Sequence, residues 1–405
     1  MLGLATRISS RISRLTRLTR LTDAINRVGI QNVSLLSRMT RMPKETIRYE
    51  VKKRFPKLGL SVALQMGYDR LGLERTFAVL EFTSDVLDYA PELLHRLASV
   101  AFLTYRSSEI FGTRQIAIFG VPFGLRKKFG SFLNRLVDEG ILRRFRLEKL
   151  EWARHYDLRS EYYDISRGSW SIDWDRVKAL KERPPAPPLT MEASGRTDVD
   201  LMDILLVKEL ELESWRNISD IAKKLGLNDR TARWHYTKHV SPMISSFFVR
   251  WLPATAIGVT NLMGLTFEFT RLSTSQLAKV RQLFANFPFS WYEGGREDGY
   301  HIAMSAMPAE HVVQSMHFLK AKSEGVISES KVYGLDLSQS SAYTIPYENF
   351  DEKVRWFFDE KKALRSILSA RAQVKKLGGA FSEDQAPFRR RRMLDVPQAG
   401  REKVG

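Results

Sequence analysis

Residues 217–240 read NISDIAKKLGLNDRTARWHYTKHV, and the interpretation of the whole chain follows from them. Ile221, Ala222 and Leu225 give a short helix, Asp220 to Leu225, an apolar side, with Ser219 near its start. Gly226-Leu227-Asn228 then makes a tight turn. Gly226 can take a positive φ, and Asn228 can cap the next helix by accepting from a free backbone N–H. The third helix, Asp229 to Val240, groups Ala232, Tyr236 and Val240 on one face and leaves Arg230, Arg233, Trp234 and Lys238 largely elsewhere. Upstream, Leu201, Ile204, Leu205, Lys208 and Leu212 outline a first helix. Helix, short helix, Gly-containing turn and basic third helix are the parts of a helix-turn-helix.

The same plan occurs earlier, at residues 32–55, NVSLLSRMTRMPKETIRYEVKKRF. Asn32-Val33-Ser34 matches Asn217-Ile218-Ser219 at an offset of 185. Thr46 then meets Thr231, Arg48 meets Arg233, Tyr49 meets Trp234 and Lys53 meets Lys238. Leu71-Gly72 meets Ile257-Gly258, Glu81-Phe82 meets Glu268-Phe269, and Ile116-Ala117 meets Ile302-Ala303. The offset stays between 184 and 187 through Trp174-Asp175 and Phe358-Asp359, so the chain is a duplication. In the first copy Leu35 and Leu36 lie on the short helix, and Pro43 opens the third, where its missing N–H costs nothing. Ahead of both, Ile12, Leu15, Leu18, Leu21, Ile25 and Val28 recur every three or four residues. That stripe predicts a first helix with its arginines in water rather than a cleaved targeting segment.

Behind each third helix the pattern predicts β-α-β-β-α-β. The strands are Arg75–Phe82, Val100–Arg106, Arg114–Val121 and one beginning at Gly140. Their counterparts are Leu262–Phe269, Phe289–Glu293, Tyr300–Met307 and one beginning at Gly325. The expected fold class is therefore α+β, with two tandem units, each a winged helix-turn-helix followed by a ferredoxin-like sandwich. The division predicted is 1–66 for the N-terminal helix and first winged helix-turn-helix, and 67–180 for the first ferredoxin-like domain. A Pro-rich linker follows at 181–198, then the second winged helix-turn-helix at 199–252 and the second ferredoxin-like domain at 253–376. A disordered basic tail at 377–405, with Arg389 to Arg392 in it, ends the chain.

Bulk properties narrow the function. In 405 residues there is no cysteine, which excludes disulfides and thiolate-held metal centres. No apolar run approaches the roughly 20 residues that cross a bilayer, so no membrane partner is expected. A net charge of +18 favours a polyanionic partner. On the two third helices the candidate DNA-contacting residues are Lys44, Thr46, Arg48, Tyr49, Lys52 and Lys53, and Asn228, Arg230, Thr231, Arg233, Trp234 and Lys238. Lys and Arg suit phosphate or guanine, and Thr and Tyr add weaker contacts.

Thr46-Ile47-Arg48, and Asp69-Arg70-Leu71-Gly72-Leu73 leading into Ala78-Val79-Leu80, resemble the Lrp/AsnC family of regulators. Gly295-Arg296-Glu297-Asp298 is similar to that family's Gly-x-x-Asp hairpin, whereas the first copy reads Ser107 to Thr113 there and lacks it. The resemblance implies a transcription regulator on double-stranded DNA in an archaeal or bacterial cytoplasm, not an enzyme and without a cofactor. It also implies a small-molecule effector at Gly295 and Asp298, and an internal pseudo-dimer able to form homo-oligomers. Two rival readings stand beside it. One is a tandem tetrapyrrole decarboxylase acting on sirohaem-type substrates, for which only His301 is suitably placed. The other is an architectural DNA-binding protein. His235 and His239 have the i, i+4 spacing of a helical metal pair, but no third ligand is evident in the sequence, so no metal is expected. The aromatic group Trp170, Trp174, Trp356, Phe357 and Phe358 is expected to pack each C-terminal extension onto its own unit rather than to form a ligand cage.

Overall fold

Leu18, Leu21 and Ile25 are buried at helical spacing, and they turn helix α1 (17–28) onto Leu36 of α2 (Val33–Thr40) and Ile47 of α3 (Lys44–Tyr49). The computed structural model describes residues 17–165, 167–179, 184–185, 198–251 and 262–376. Most of the expected linker, the expected tail, the Ile257-Gly258 match, and Ile12 and Leu15 of the stripe lie outside the described residues. After α3 the chain widens into a π-helical turn, Glu50–Arg54, and enters strand β1 (Leu60–Met66).

The first unit continues with β2 (Leu73–Phe82), α4 (Ala90–Val100), β3 (Leu103–Glu109) and β4 (Arg114–Pro122). It closes with α5 (Arg126–Asp138), β5 (Leu142–Leu150) and β6 (Trp152–His155). A small hairpin, β7 (Tyr163–Asp164) and β8 (Ser169–Trp170), precedes α6 (Trp174–Ala179). The second unit repeats the order with α7 (Leu201–Leu212), α8 (Ile218–Leu225), α9 (Asp229–His235) and β9 (Ile244–Trp251). Then come β10 (Leu262–Phe269), α10 (Thr274–Asn286), β11 (Ser290–Gly295), β12 (His301–Pro308), α11 (Val312–Lys322) and β13 (Lys331–Ala342). A hairpin of β14 (Phe350–Asp351) and β15 (Arg355–Trp356) leads into α12 (Glu360–Lys376).

Local chemistry follows the sequence closely. Asn32 and Asn217 cap α2 and α8, Gly226 ends α8 at φ +69°, and Asn228 accepts from the N–H groups of Arg230 and Thr231. Some boundaries differ. The expected helix Asp229–Val240 stops at His235 and finishes as a π-helical turn. Val100 belongs to α4, because Phe102 at φ +66° breaks the chain before β3 can start. Gly325, at φ +88°, ends a helical segment, and a short turn delays the last strand to Lys331.

The fold is α+β around one large antiparallel sheet. Its strands run β5-β2-β4-β3-β13-β10-β12-β11-β6. Within each unit the fourth, first, third and second strands are neighbours in that order, which is compatible with a ferredoxin-like unit. The units join edge to edge where β3 meets β13, with Leu335 opposite Glu109. Only Glu151 separates β5 from β6, yet these strands lie at opposite ends of the order, so the sheet curls round to meet itself. Period-two alternation then divides the core. Phe77 and Val79 face inward with Ile116, Tyr292, Ile302 and Leu335. Ala78 and Leu80 face outward beneath Leu93, Leu97, Phe129 and Leu133.

The C-terminal extensions correct an expectation in part: their hairpins, with Trp170 and Trp356, pack in their own unit's helical lobe, but each terminal helix packs on the opposite unit. Phe358, Ala363, Ile367 and Ala370 complete the first unit's helical layer. Trp174 and Val177 sit with Phe289 and Phe318 of the second. The reason is geometric. Each extension leaves the sheet from a strand at the seam, β6 beside β11 or β13 beside β3, and so emerges above its neighbour's helices. Strands β1 and β9 pair with one another as well, from Leu60 opposite Trp251 to Met66 opposite Ile244, tying the two helical lobes together.

Candidate ligand cavity

The seam creates a space that neither unit encloses alone. Tyr105 enters from β3, His155 from β6, Trp291 from β11 and Leu337 from β13, while β9 closes the space with Phe248, Arg250 and Trp251. The cavity measures about 130 Å³ and opens to solvent at its mouth. Much of its wall is aromatic. Trp170 stands edge-on to both Trp251 and Phe289, with ring centroids 5.2 and 4.8 Å away. His155 stacks on Phe248, the centroids being 5.2 Å apart and the planes inclined by 16°.

The polar groups are few and their states are defined. Burial, helped by Arg75 and Arg250, pushes the His155 imidazole down to about 3, so the ring is neutral at ordinary pH. Burial pushes the Arg250 guanidinium down to about 10, which still leaves it cationic, and its Nε donates to Ser61 Oγ at 3.1 Å. Burial raises the Tyr105 and Tyr156 hydroxyls, so both keep their protons. The Asp157 carboxylate is turned away to accept from Asn26 Nδ2 at 3.1 Å. A cation, a neutral imidazole and two phenols inside an aromatic wall suit a flat ligand that carries carboxylates.

The residues singled out from sequence lie elsewhere. Lys44, Arg48, Tyr49, Lys52 and Lys53 are exposed on and just after α3, with Thr46 half-buried. Asn228, Arg230, Thr231, Arg233, Trp234 and Lys238 are exposed on and around α9. Several are engaged locally: Arg48 pairs with Glu45, Arg233 pairs with Asp229 at 2.9 Å, and Lys52 lies over the Trp215 ring. Gly295 is buried at the end of β11, where a Cβ would meet the Tyr300 carbonyl at 2.6 Å. Asp298 closes the hairpin, accepting from the Tyr300 N–H at 3.0 Å and pairing with Arg296. His301 is fully buried between Trp152 and Phe269, outside the cavity. Of the aromatic group, Trp170 alone lines the cavity. His155, Arg250, Trp251 and Trp291 carried no signal in sequence, because they lie on three separate strands, β6, β9 and β11, that only the tertiary fold brings together.

No family model matches the sequence, and no curated protein matches it. Among solved structures, the chain is similar to the siroheme decarboxylase NirDL in complex with an iron-uroporphyrin III analogue. The TM-score is 0.50 at 9% identity, covering 88% of this chain and 99% of that one. A second structure of the same enzyme gives a TM-score of 0.46, also at 9% identity, covering 89% and 99%. The first of these matches stands against two expectations, the assignment to Lrp/AsnC-like transcription regulators and the reading of the chain as not an enzyme, because the solved fold it resembles is that of an enzyme. Among the described residues no helix is long and apolar enough to cross a membrane. What the likeness shows is the fold, an end-to-end match to the arrangement of domains in a siroheme decarboxylase.

Proposed function

We propose that the protein binds a carboxylated tetrapyrrole in the seam cavity and removes carboxyl groups from it as CO₂. The observation that carries this reading is the pairing of Arg250 and neutral His155 within an aromatic wall built by both units. The fold likeness supports it, since that neighbour was solved with an iron-uroporphyrin III analogue.

Each part of the wall has a task. Trp170, Phe248, Trp251 and Trp291 offer faces and edges to a flat macrocycle and exclude water from it. Arg250 is the anchor for one substituent carboxylate, and its charge counts for more here than in water because the surroundings are poorly solvated. When a carboxylate leaves as CO₂, its electron pair stays on the ring substituent and requires a proton. Tyr105 and Tyr156 hold theirs at any ordinary pH and are the donors within the cavity wall. His155 remains uncharged, so it does not compete with Arg250 for the carboxylates and keeps a nitrogen lone pair for the substrate's metal.

The test is titration with iron-uroporphyrin III, following the ligand's visible absorption, together with detection of released CO₂. Saturable binding and CO₂ release are expected. Arg250→Met should weaken binding by roughly 10- to 100-fold, as expected for losing a charged hydrogen bond of about 1.5–3 kcal/mol. Binding unchanged in Arg250→Met would place the ligand outside this cavity. Tight binding without CO₂ release would remove the catalytic half of the reading.

A further inference from the structure

We infer that the second helical lobe contains a divalent-metal site formed by Asp200, Asp203, His235 and His239. The two histidines lie one turn apart, His235 at the end of α9 and His239 in the π-helical turn after it. The structure supplies the ligands the sequence did not reveal. Asp200 and Asp203, at the start of α7, bring their carboxylates up to the same point. His235 Nδ1 lies 2.9 Å from Asp203 Oδ1 and 3.5 Å from Asp200 Oδ2, and His239 Nδ1 lies 2.9 Å from Asp203 Oδ2. One ligand atom from each of the four falls within 4.8 Å of the others. Tetrahedral zinc, with bonds of about 2.0–2.2 Å, sets its ligand atoms about 3.4 Å apart, so small side-chain rotations suffice.

The first lobe shows that the fold does not require these residues. At the offset of 185, Asp203 corresponds to Leu18, His235 to Glu50 and His239 to Arg54. Leu18 is buried in its lobe's apolar core, and Glu50 and Arg54 form an ordinary i, i+4 ion pair at 3.6 Å. The second lobe has instead placed a carboxylate, fully buried, where a leucine would pack. A fully buried carboxylate is costly to desolvate, and a dication would balance the charges of Asp200 and Asp203. Both carboxylates are also held by backbone. Asp203 Oδ2 accepts from the Asp200 N–H at 3.0 Å and Asp200 Oδ1 from the Asp203 N–H at 2.9 Å, outer bonds of the kind that orient metal ligands. Asp200 and His239 keep partial exposure, which leaves a route for an ion to enter. With two nitrogen and two oxygen donors and no thiolate, the set suits Zn²⁺ or Co²⁺ and would fasten α9 to α7.

The experiment uses the full chain without a polyhistidine tag, dialysed free of metal and titrated with CoCl₂, then with ZnCl₂ in competition. Expected is one equivalent of Co²⁺ with the strong visible absorption of tetrahedral cobalt, displaced by Zn²⁺, and a rise in melting temperature with either ion. His239→Ala should weaken Co²⁺ binding by roughly 100-fold or more, beyond the 10- to 100-fold typical of outer-sphere changes. The triple variant Asp203→Leu, His235→Glu, His239→Arg installs the first lobe's own residues, and should keep native circular dichroism while losing the cobalt spectrum. No saturable cobalt signal in the wild type, or the same signal in either variant, overturns the proposal.

Discussion

Glu81 and Glu268 stand at the same place in the two units, at the end of the first strand, but in opposite surroundings. Glu81 meets Arg144 at 2.7 Å and Arg143 at 3.5 Å, and both arginine side chains are 75% exposed. Glu268 is sealed off. Arg146 reaches it from β5 of the other unit with both nitrogens, one at 2.6 Å, and the hydroxyls of Tyr300 and Tyr333 donate at 2.9 and 2.8 Å. Burial pushes the Glu268 carboxyl up, but Arg146 and the two tyrosines outweigh it and hold the group below the ordinary carboxylate range. After duplication one glutamate, itself buried, stayed paired with exposed arginines at a wet edge, while its twin became the polar clasp between units. The difference teaches that a duplicated position is freed by the seam, where burial depends on what the other unit brings.

The largest effect should come from breaking that clasp. Arg146→Met leaves a buried carboxylate without its cation and should cost about 3–5 kcal/mol in urea denaturation. Arg144→Met, the matching change at the wet edge, should cost no more than about 1 kcal/mol. Equal losses would mean that the two glutamates are equivalent after all.

Acid sharpens the comparison at a second pair. His301 of the second unit corresponds to Gln115 of the first, at an offset of 186. Gln115 is satisfied by Ser108, whereas burial, with Arg281, pushes His301 down to about 3. His155 is pushed equally low. Each group's folded value lies below the ordinary 6.5, so the unfolded chain takes up protons that the folded chain refuses. Stability is therefore complete above about pH 6.5 and falls as the pH drops towards 3. The slope should be about 1.4 kcal/mol per pH unit for each histidine, measured by denaturation between pH 7 and 4.5. His301→Gln should remove close to half of the part due to these two groups. A variant with an unchanged slope would count against a neutral, buried imidazole.

The smallest effect concerns the third helices. Asn228 caps α9 through its side chain, whereas Pro43 opens α3 with no side-chain hydrogen bond. Asn228→Ala should lower stability by about 1 kcal/mol and Pro43→Ala by less, read from thermal melts. Equal shifts would show that the cap contributes nothing.

Much of the architecture was legible because it depends on local chemistry. The offset between Asn32 and Asn217, the turn at Gly226 and the strand expected at Arg75–Phe82 each report a backbone preference encoded over a few residues. The candidate site was not legible in this way. His155 and Trp291 look like ordinary strand residues, and Arg250 is one arginine in a chain with 64 lysines and arginines. His235 and His239 announced half of a metal set, but Asp203 lies 32 residues before His235 and reads from sequence as one acid on a helix face.

By itself, then, the sequence determined the duplication, the order of helices and strands, the caps and the exposed basic faces, since short-range hydrogen bonding and hydrophobic period decide these. The tertiary structure alone decided that β3 would pair with β13, that the sheet would curl shut at Glu151 and that each terminal helix would cross to the opposite unit. Those choices depend on which edges and apolar faces find each other across more than a hundred residues, and the cavity exists only where they meet.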